Sequence, residues 1–313
     1  MSQRVLVLWW SQSGQLRRVA EAFAEPFSAA GHEVVYAELT PAAPFPFPWR
    51  VTTFFGEFPE TVLGRPKPIQ PLHLPDGEWD LVILVAQIWF LSPSQPFAAF
   101  LNGPDREVLR GRRVVTLISC RNMWIRGWRR IVTMVGAAGG HVTDRVVATH
   151  SGSVFASYFS TLAWMLTGRR DAIKVLPAAG LAEETFAHLT EWGALAADRL
   201  RSAQPSETLL GDRVTAGISH AHAFGEQIVG PIFPLLATII SAVSRPGSTL
   251  RNACSVGMLC FILSCVFGLL IPCVVTERLL RRWIDPWLDR LASLPVPQGA
   301  SADQRLSGRR DAR

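Results

Sequence analysis

A short polar stretch, SQSGQL at residues 11–16, lies between two apolar segments of different periodicity. The preceding residues 4–10 form a continuous apolar run, which is typical of a strand buried on both faces. Residues 14–31 carry apolar side chains at helical spacing. Backbone amides at a helix N-terminus favour an anion, and a glycine permits close approach of a ligand. Two interpretations remain open: a phosphate-binding loop, or an ordinary helix start capped by Ser13.

A second polar stretch, SHAHAFGEQ at residues 219–227, offers groups that could transfer protons. His220 and His222 would share a face on a strand, whereas His222 and Glu226 would share one on a helix. Histidine titrates near neutral pH and often serves as a general base, so we predict these three residues as catalytic candidates. The alternative is a solvated polar linker. A His-x-His pair without a third ligand is poor evidence for a metal, and we predict none.

The five cysteines indicate neither a disulfide framework nor a metal site. Cys254, Cys260, Cys265 and Cys273 fall in one apolar stretch without a C-x-x-C pair or a nearby histidine. They are interpreted as small apolar side chains. Cys120 ends a predicted strand and is interpreted as a buried thiol, because no histidine lies near it in sequence to activate it.

The composition predicts a membrane-facing part. Of the 313 residues 49% are hydrophobic and 18% charged, which is apolar for a soluble protein. No charge occurs in residues 227–244 or 252–276. Only the second stretch reaches the roughly 20 residues that a spanning helix needs, and Pro231 and Pro234 interrupt the first. We predict a membrane-embedded hydrophobic hairpin over residues 227–276 and leave its depth open.

A basic flank at residues 277–294 follows the hairpin. Its arginines favour the cytoplasmic side and its tryptophans the headgroup region; they are Arg278, Arg281, Arg282, Arg290, Trp283 and Trp287. We therefore predict a membrane-associated protein whose N-terminal domain faces the cytoplasm, with no signal peptide evident. Residues 295–313 hold few large apolar side chains and are predicted to be disordered. The net charge is +6, but the basic residues form no aromatic-interleaved stripe, so nucleic acid is not expected.

The first 200 residues alternate strand-like and helix-like patterns, which predicts a doubly wound parallel sheet. Five strands are expected, at residues 4–10, 32–39, 79–90, 112–120 and 141–150, with a closing helix at 180–202. The predicted domain spans residues 1–205, and a linker at 206–226 follows it. Aromatic-rich insertions at 41–78 and 151–176 are expected to form an ordered, apolar cover.

The first loop resembles the FMN phosphate loop of flavodoxins and related NAD(P)H:flavin oxidoreductases, roughly S/T-x-T/S-G-N-T after the first strand. Ser11, Ser13 and Gly14 match that pattern, while Gln15 and Leu16 stand where Asn and Thr are usual. This departure reduces the number of hydroxyl donors. The resemblance implies a flavodoxin-like α/β fold with strand order 2-1-3-4-5.

Two later loops extend the resemblance over roughly residues 4–202. AQIWFLSPSQPFAAFLNG (86–103) looks like the loop that flanks the isoalloxazine ring, with Trp89 and Pro93 matching and Gln87 replacing the usual proline. SCRNMW (119–124) occupies the place of the next ring-contacting loop.

The resemblance implies FMN as the cofactor. The implied phosphate-binding residues are Ser11, Gln12, Ser13, Gly14, Gln15 and Leu16, and the implied ring-binding residues are Ile88, Trp89, Phe90, Cys120, Arg121 and Asn122. Trp89 would stack on the ring, or alternatively be a core aromatic. Arg121 would stabilise negative charge on the reduced ring, or alternatively be a solvated arginine.

Flavin electron shuttles are typically compact and acidic, whereas this chain is basic, longer and fused to an apolar segment. We therefore predict a flavin-dependent oxidoreductase for a lipophilic substrate, with NAD(P)H as the candidate electron donor. The chain also looks like the proteins of bacterial dialkylresorcinol and aryl-polyene gene clusters, labelled dialkylresorcinol condensing enzyme. That resemblance implies oxidation of a cyclic diketone to a resorcinol ring, with quinone reduction as a second possibility. The alternatives are a membrane-tethered electron carrier serving a partner protein, and a flavin-free interaction module.

Overall fold

The centre of the molecule is a parallel sheet of five strands built from the apolar runs of the sequence. The computed structural model describes residues 2–150, 154–171, 173–211 and 218–293. The strands are β1 (Arg4–Trp9), β2 (Glu33–Glu38), β3 (Leu81–Trp89), β5 (Arg113–Cys120) and β6 (His141–Thr149), and a two-residue strand β4 (Ser92–Pro93) pairs antiparallel with the end of β3.

The strand order is β2-β1-β3-β5-β6, with every neighbouring pair parallel. The predicted flavodoxin-like order is therefore confirmed, and only the short β4 was not expected. The order reverses between β1 and β3. In open sheets of this kind, ligands bind beyond the carboxyl ends of the strands at such a reversal.

Helices cover both faces of the sheet. One face carries α1 (Gln15–Ala29) and α7 (Glu183–Leu200), and the other carries α4 (Gln95–Asn102), a 3₁₀ helix (Pro104–Leu109) and α5 (Ile125–Ala137). The side chains of α1 that the helical spacing predicted to be apolar contacts are all fully buried: Leu16, Val19, Ala20, Phe23 and Phe27. On α5, Trp128 is fully buried and its Nε1 donates to Thr116 Oγ1 at 3.1 Å, which satisfies its only polar group.

The two aromatic-rich segments contribute three further helices near the carboxyl edge of the sheet. They are α2 (Val51–Gly56), α3 (Phe58–Leu63) and α6 (Val154–Thr167). Phe45 and Trp49, which precede α2, are buried in the same cluster as the strand residues of β1 and β3. This segment is therefore part of the core.

The C-terminal part forms three helices, α8 (His220–Val229), α9 (Ile232–Val243) and α10 (Thr249–Ala292). Pro231 precedes α9, and α8 and α9 meet at an angle of 40°, because proline cannot continue the hydrogen bonds of α8. The second apolar stretch of the predicted hairpin and the predicted basic flank together form one helix, α10, which has non-helical dihedral angles at Leu280.

Within the described residues, Thr249–Leu269 is the one helical segment that is alone long and apolar enough to cross a membrane, with a mean hydropathy of 2.0 over 21 residues. The bent pair α8–α9 would also qualify if it formed a single span. Residues 212–217 of the predicted linker and the predicted tail at 295–313 lie outside the described residues.

The close packing of α1 on α7 predicts a large effect for Gly193→Ala. A Cβ at residue 193 would lie 2.1 Å from the carbonyl oxygen of Phe23, a backbone atom that cannot rotate away. We expect a loss of roughly 1–3 kcal/mol in the free energy of unfolding, as for other overpacked cores. Thermal unfolding in detergent, followed by far-UV circular dichroism, measures it.

Gly136→Ala is the matched control, because Gly136 is an exposed α5 residue with open space around the added Cβ. It should leave the melting temperature unchanged or raise it slightly, since alanine favours helix over glycine by roughly 0.5–1 kcal/mol. Equal melting temperatures for the two variants would contradict the described packing of α1 on α7.

Candidate functional site

The loop after β1 presents unpaired donors at the start of α1. Gly14 has a φ of +83°, a left-handed conformation that glycine adopts without strain. Ser11, rather than Ser13, bonds the first turn, because its Oγ accepts from the Leu16 amide at 3.1 Å. Within the described part of the chain, the amides of residues 12–15 have no acceptor. Free amides at the positive end of a helix are the arrangement that binds a phosphate.

Gln12 connects this loop to the aromatic segment. Its Nε2 donates to the carbonyl oxygens of Phe45 and Pro46, at 3.2 and 3.3 Å. Its Oε1 is buried in the wall of a cavity and has no hydrogen-bond partner within the described residues. A buried polar atom without a partner costs free energy, so this oxygen indicates room for a donor from a ligand.

Gln15 and Leu16 do not present free side chains to the site. The Gln15 side chain spans the carboxyl edge of the sheet: its Nε2 donates to Ser119 Oγ at 3.3 Å, and its Oε1 accepts from the Leu181 amide at 3.0 Å. The Leu16 side chain is fully buried in the core beneath α1. Of these two predicted residues, Gln15 lines the cavity, whereas Leu16 does not and its amide is already bonded to Ser11 Oγ.

The turn between β3 and β4 forms the next wall of the cavity. Phe90 and Leu91 both have positive φ, at 50° and 59°, as a tight two-residue hairpin turn requires. Bulky residues adopt this conformation at a cost of roughly 1–2 kcal/mol each. Both side chains line the cavity together with Ile88, so the turn directs large apolar groups towards it.

Trp89 lies at the centre of an aromatic cluster. Four rings surround it edge-on, with centroid distances of 5.5 Å to Trp10, 5.5 Å to Phe45, 5.9 Å to Trp49 and 6.0 Å to Phe54. Only 8% of Trp89 is exposed, yet its edge also lines the cavity. Trp89 is therefore a core aromatic, as the alternative interpretation held, and its edge also forms part of the cavity wall; stacking on a flavin ring stays a prediction.

The loop after β5 places one positive charge at the cavity. Arg121 lines the cavity, and its guanidinium lies 4.5 Å from the centre of the Tyr158 ring. Among the described residues it has no carboxylate within ion-pair distance. Burial lowers its pKa, but an arginine keeps its charge at neutral pH. Asn122 lies beside it in the cavity wall.

Cys120 is a buried neutral thiol. Burial raises its pKa, with a smaller contribution from Glu226, so the thiolate does not form near neutral pH. Cys120 borders the cavity, but its protonation makes it a wall residue rather than a nucleophile.

His150, at the end of β6, is a cavity residue that the sequence interpretation missed. Its Nδ1 lies 3.3 Å from Thr161 Oγ1, and its Nε2 lies 3.5 Å from the side-chain nitrogen Nε2 of Gln15. Burial, and then the charges of Arg121 and Arg170, lower its pKa to about 3. The ring is therefore neutral at physiological pH. A histidine as the last residue of a predicted strand was the available signal, because strand ends define this edge.

Of the three predicted catalytic candidates, His222 alone lines the cavity. Its Nδ1 bonds with Ser219 Oγ at the start of α8. Its Nε2 is buried and has no partner within the described residues. Burial lowers the pKa of this ring, so it is neutral at pH 7 and its Nε2 can accept a proton.

His220 and Glu226 lie elsewhere. His220 Nε2 is 2.9 Å from Asp289 Oδ1 on α10. The Glu226 carboxylate accepts hydrogen bonds from the amides of Ile125 at 3.2 Å and Arg126 at 2.6 Å, and so caps the N-terminus of α5. Among the described residues, no group of three or more His, Cys, Asp or Glu side chains could hold a metal ion.

These loops enclose a cavity of about 340 Å³, within the range of roughly 300–1,000 Å³ for small-molecule sites. Its polar part lies at the carboxyl edge of the sheet, and its walls and roof are largely apolar. The apolar lining includes Phe47, Trp49, Phe54 and Phe55 from the first aromatic segment, Tyr158, Leu162, Trp164 and Met165 from α6, Phe233 from α9, and Ile262, Cys265, Val266, Leu269 and Cys273 from α10.

Solved structures with flavodoxin-like folds are similar to this chain. An archaeal flavodoxin is 9% identical, with a TM-score of 0.36 over 63% of this chain and 99% of its own. A WrbA-like flavodoxin from Agrobacterium tumefaciens is 12% identical, with a TM-score of 0.37 over 65% of this chain and 100% of its own. A flavone reductase is 10% identical, with a TM-score of 0.36 over 66% of this chain and 65% of its own.

No protein-family model and no curated protein sequence matches the chain. The strand order and the position of the cavity at its reversal define the flavodoxin-like class of fold. The cofactor and the reaction have to be argued from the residues of the site.

The burial of Glu226 predicts a pH-dependent difference between the wild type and Glu226→Gln. Burial raises the pKa of Glu226 from its ordinary 4.5 to about 7, despite the amides of Arg126 and Ile125. Its folded pKa exceeds its unfolded one, so its stabilising contribution is complete below about pH 4.5 and is lost as the pH rises through 7. Glutamine keeps an acceptor oxygen for the amides without this titration.

Relative to the wild type, Glu226→Gln should therefore gain stability between pH 4.5 and pH 8, by roughly 3 kcal/mol. Denaturant unfolding of both proteins across this pH range measures the difference in their free energies of unfolding. The buried histidines titrate in both proteins, so their contributions cancel in this difference. A difference that stays constant with pH would show that Glu226 is not titrating in a buried site.

Proposed function

We propose that the protein is a membrane-associated, FMN-dependent oxidoreductase that acts on an apolar substrate. One observation carries the proposal: a single cavity joins the unpaired amides of the loop at 11–16 to an aromatic chamber, at the point where the strand order reverses. In sheets of this order, FMN binds at the reversal between the first and third strands.

The residues present fit FMN in three respects. The amides of residues 12–15 are free to take the phosphate at the N-terminus of α1. The unpaired Gln12 Oε1 is an acceptor for the polar hydroxyls of the cofactor. Ile88, Trp89 and Phe90 provide an apolar surface for the ring, and Arg121 is a positive charge without a carboxylate partner among the described residues. Such a charge would stabilise an anionic form of the cofactor.

Bound FMN would supply the acceptance or donation of a hydride. In this proposal His222 moves the proton that accompanies it, because its neutral Nε2 is buried at the cavity and unpaired within the described residues. Ser219 holds the other ring nitrogen and so fixes the orientation of the imidazole. The apolar roof from α9 and α10 excludes water from the reacting groups.

A six-membered cyclic diketone is the substrate that best suits this arrangement. Its conversion to a resorcinol removes a hydride from one ring carbon and a proton from the next, and His222 would take the proton next to the carbonyl. Quinone reduction is the second candidate reaction. In that direction NAD(P)H would be the electron donor, and His222 would return a proton to the product.

The alternative of a membrane-tethered electron carrier is less consistent with the roof of the cavity. A carrier exposes its cofactor to a protein partner, whereas side chains of α6, α9 and α10 line this cavity on the side away from the sheet. The arginines of residues 277–294 favour an orientation with the α/β part in the cytoplasm.

The phosphate loop is tested by Gly14→Glu. A side chain at a φ of +83° is strained, and a carboxylate beside the free amides repels the phosphate. We expect the affinity for FMN to fall by about a hundredfold or more, where each tenfold corresponds to about 1.4 kcal/mol. Titration of the deflavinated protein with FMN, followed by flavin fluorescence, measures it.

Gly111→Glu is the matched control. Gly111 has a comparable positive φ of +70° and open space around it, but it precedes β5, at the opposite edge of the sheet. This variant shares the backbone strain and the added charge, so its FMN affinity should equal that of the wild type. If both variants bind FMN as the wild type does, or if the purified wild type is colourless and binds no flavin, the proposed cofactor site is wrong.

The role of His222 is tested by His222→Gln, with His220→Gln as the control. Loss of a general base typically costs about 10²–10⁴-fold in rate. We expect anaerobic bleaching of the flavin spectrum by a cyclic diketone to slow by this factor in His222→Gln at unchanged FMN affinity. His220 faces Asp289, so its variant should react like the wild type.

Because burial lowers the pKa of His222, the wild-type rate should fall with decreasing pH only below the ordinary histidine pKa of about 6.5.

Rapid reduction of a cytochrome, with no reaction of diketones or quinones, would favour the carrier over the enzyme.

A further inference from the structure

Helix α10 is fixed to the α/β part of the molecule at its N-terminal end. Arg251 is 2% exposed and forms a bidentate ion pair with Glu60 of α3, with Nη1 and Nη2 at 2.9 and 3.2 Å from the two carboxylate oxygens. It also donates to the carbonyl oxygen of Gly56, at 3.0 Å. Breaking a buried ion pair of this kind is strongly destabilising, so the turn between α9 and α10 stays against α2 and α3.

The C-terminal end of the same helix is fixed to α5 and β6. Arg129 of α5 donates to the carbonyl oxygen of Leu291 at 2.9 Å, and Arg145 of β6 donates to that of Ala292. Cations are favourable at a helix C-terminus, where carbonyl groups lack partners. Between the two ends, Ile262 and Leu269 line the cavity.

These contacts conflict with a membrane-crossing arrangement of α10. The kink at Leu280 divides its 44 residues into two helical parts, and the first part, residues 249–279, alone extends over about 46 Å, more than the roughly 30 Å hydrocarbon thickness of a bilayer. A crossing helix would separate its two ends by that thickness. Here both ends and the centre contact the same α/β part, so the helix runs along its surface.

The opposite face of the C-terminal helices is apolar and exposed. Of the seventeen large hydrophobic side chains that are exposed among the described residues, fourteen lie between residues 228 and 287. On α8 and α9 they recur every three or four residues, at Ile228, Ile232, Leu235, Ile239 and Val243. On α10 they are Leu250, Val256, Phe267, Ile271, Val275, Leu279, Leu280, Trp283 and Trp287.

Basic and amphipathic residues border this apolar face. Arg278, Arg281 and Arg282 are exposed beside Trp283, the composition of a helix that lies at a membrane surface. A second cavity, beside the start of α9 and the end of α10, is lined by Arg126, Arg129 and Arg130. Among the described residues, none of these three forms an ion pair with a carboxylate. Each donates to an oxygen of the protein, namely that of Gln227, Leu291 or Val62, but their three charges remain uncompensated and favour anionic headgroups near this cavity.

We propose that helices α8–α10 dock the protein on one leaflet of a bilayer without crossing it. The exposed side chains of α9 and α10 enter the acyl region, and the arginines at its border contact anionic lipid headgroups. The inference goes beyond the proposed reaction and shares with it only the association with a membrane. A long uncharged stripe that ends in tryptophan and arginine fits a lipid surface better than a second copy of the chain.

The position of the α9–α10 turn tests this topology directly. Pro246→Cys places a thiol in the exposed turn, and Ala137→Cys places one at the exposed end of α5, far along the chain in the α/β part. In sealed vesicles with the cytoplasmic side outward, a membrane-impermeant maleimide should label both above the wild-type background. Labelling of Pro246→Cys only after detergent is added would show that the helices cross the bilayer, and would overturn the proposal.

Lipid insertion is tested by flotation with vesicles. Ile271→Glu combined with Val275→Glu puts two charges on the exposed face of α10, while Val175→Glu changes an apolar residue that is 90% exposed outside it. We expect the double variant to lose at least tenfold in vesicle partitioning, and Val175→Glu to bind like the wild type. An unchanged far-UV circular dichroism spectrum and melting temperature in detergent show that the fold survives, and thus separate lost docking from lost structure.

Two lipid compositions distinguish the contributions to binding. Phosphatidylglycerol in phosphatidylcholine vesicles should strengthen binding of the wild type, and Arg281→Gln with Arg282→Gln, at two exposed positions beside Trp283, should reduce that gain. Equal flotation of the wild type and the Ile271→Glu, Val275→Glu double variant would overturn the proposal. So would a detergent-free soluble dimer that the double variant converts to a monomer, since that would assign the apolar face to a second copy. The chemistry of the flavin site would stand in either case.

Discussion

The cavity residues come together because four parallel strands end at one edge of the sheet. The loops after β1, β3, β5 and β6 converge there, so Ser13, Ile88, Arg121 and His150 become neighbours although they are far apart in sequence. A parallel sheet needs helices on both faces, and its carboxyl edge is left for loops and ligands. The first loop supplies free amides and the third supplies charge, while the aromatic segments and C-terminal helices supply an apolar enclosure.

The enclosure determines the protonation states within it. Burial keeps His150 and His222 neutral and Cys120 protonated, whereas Arg121 remains charged. In a site of low polarity a single charge acts over a longer distance than it would in water. Among the described residues that line the cavity, one cation lies among neutral groups, so the cavity has a positive end near the strands and an apolar end near α10. The substrate proposed above, an apolar ring with carbonyl oxygens, would match that polarity.

The regular part of the fold followed from the sequence. Apolar runs predicted all five main strands, and their alternation with helices predicted a doubly wound sheet, because both signals are local. The strand order was implied by the resemblance to flavodoxins. The contacts that decide the roles of individual residues are not local. Gln15 bonds to Leu181, and Glu226 caps a helix that begins at Ile125, so neither role could be inferred from neighbouring residues. The hairpin turn at Phe90 and Leu91 lacks the glycine or asparagine that usually marks such a turn.

The two faces of helix α10 have different surroundings. One of its faces lines the chamber, and the other carries a stripe of exposed apolar side chains. The α/β core consequently depends on the C-terminal helices. Removing them to obtain a water-soluble fragment would open the aromatic chamber, remove the Glu226 cap of α5 and leave Glu60 without Arg251. Unlike the small stand-alone proteins that share its strand order, this core cannot be separated from its C-terminal helices and purified as a smaller version of itself.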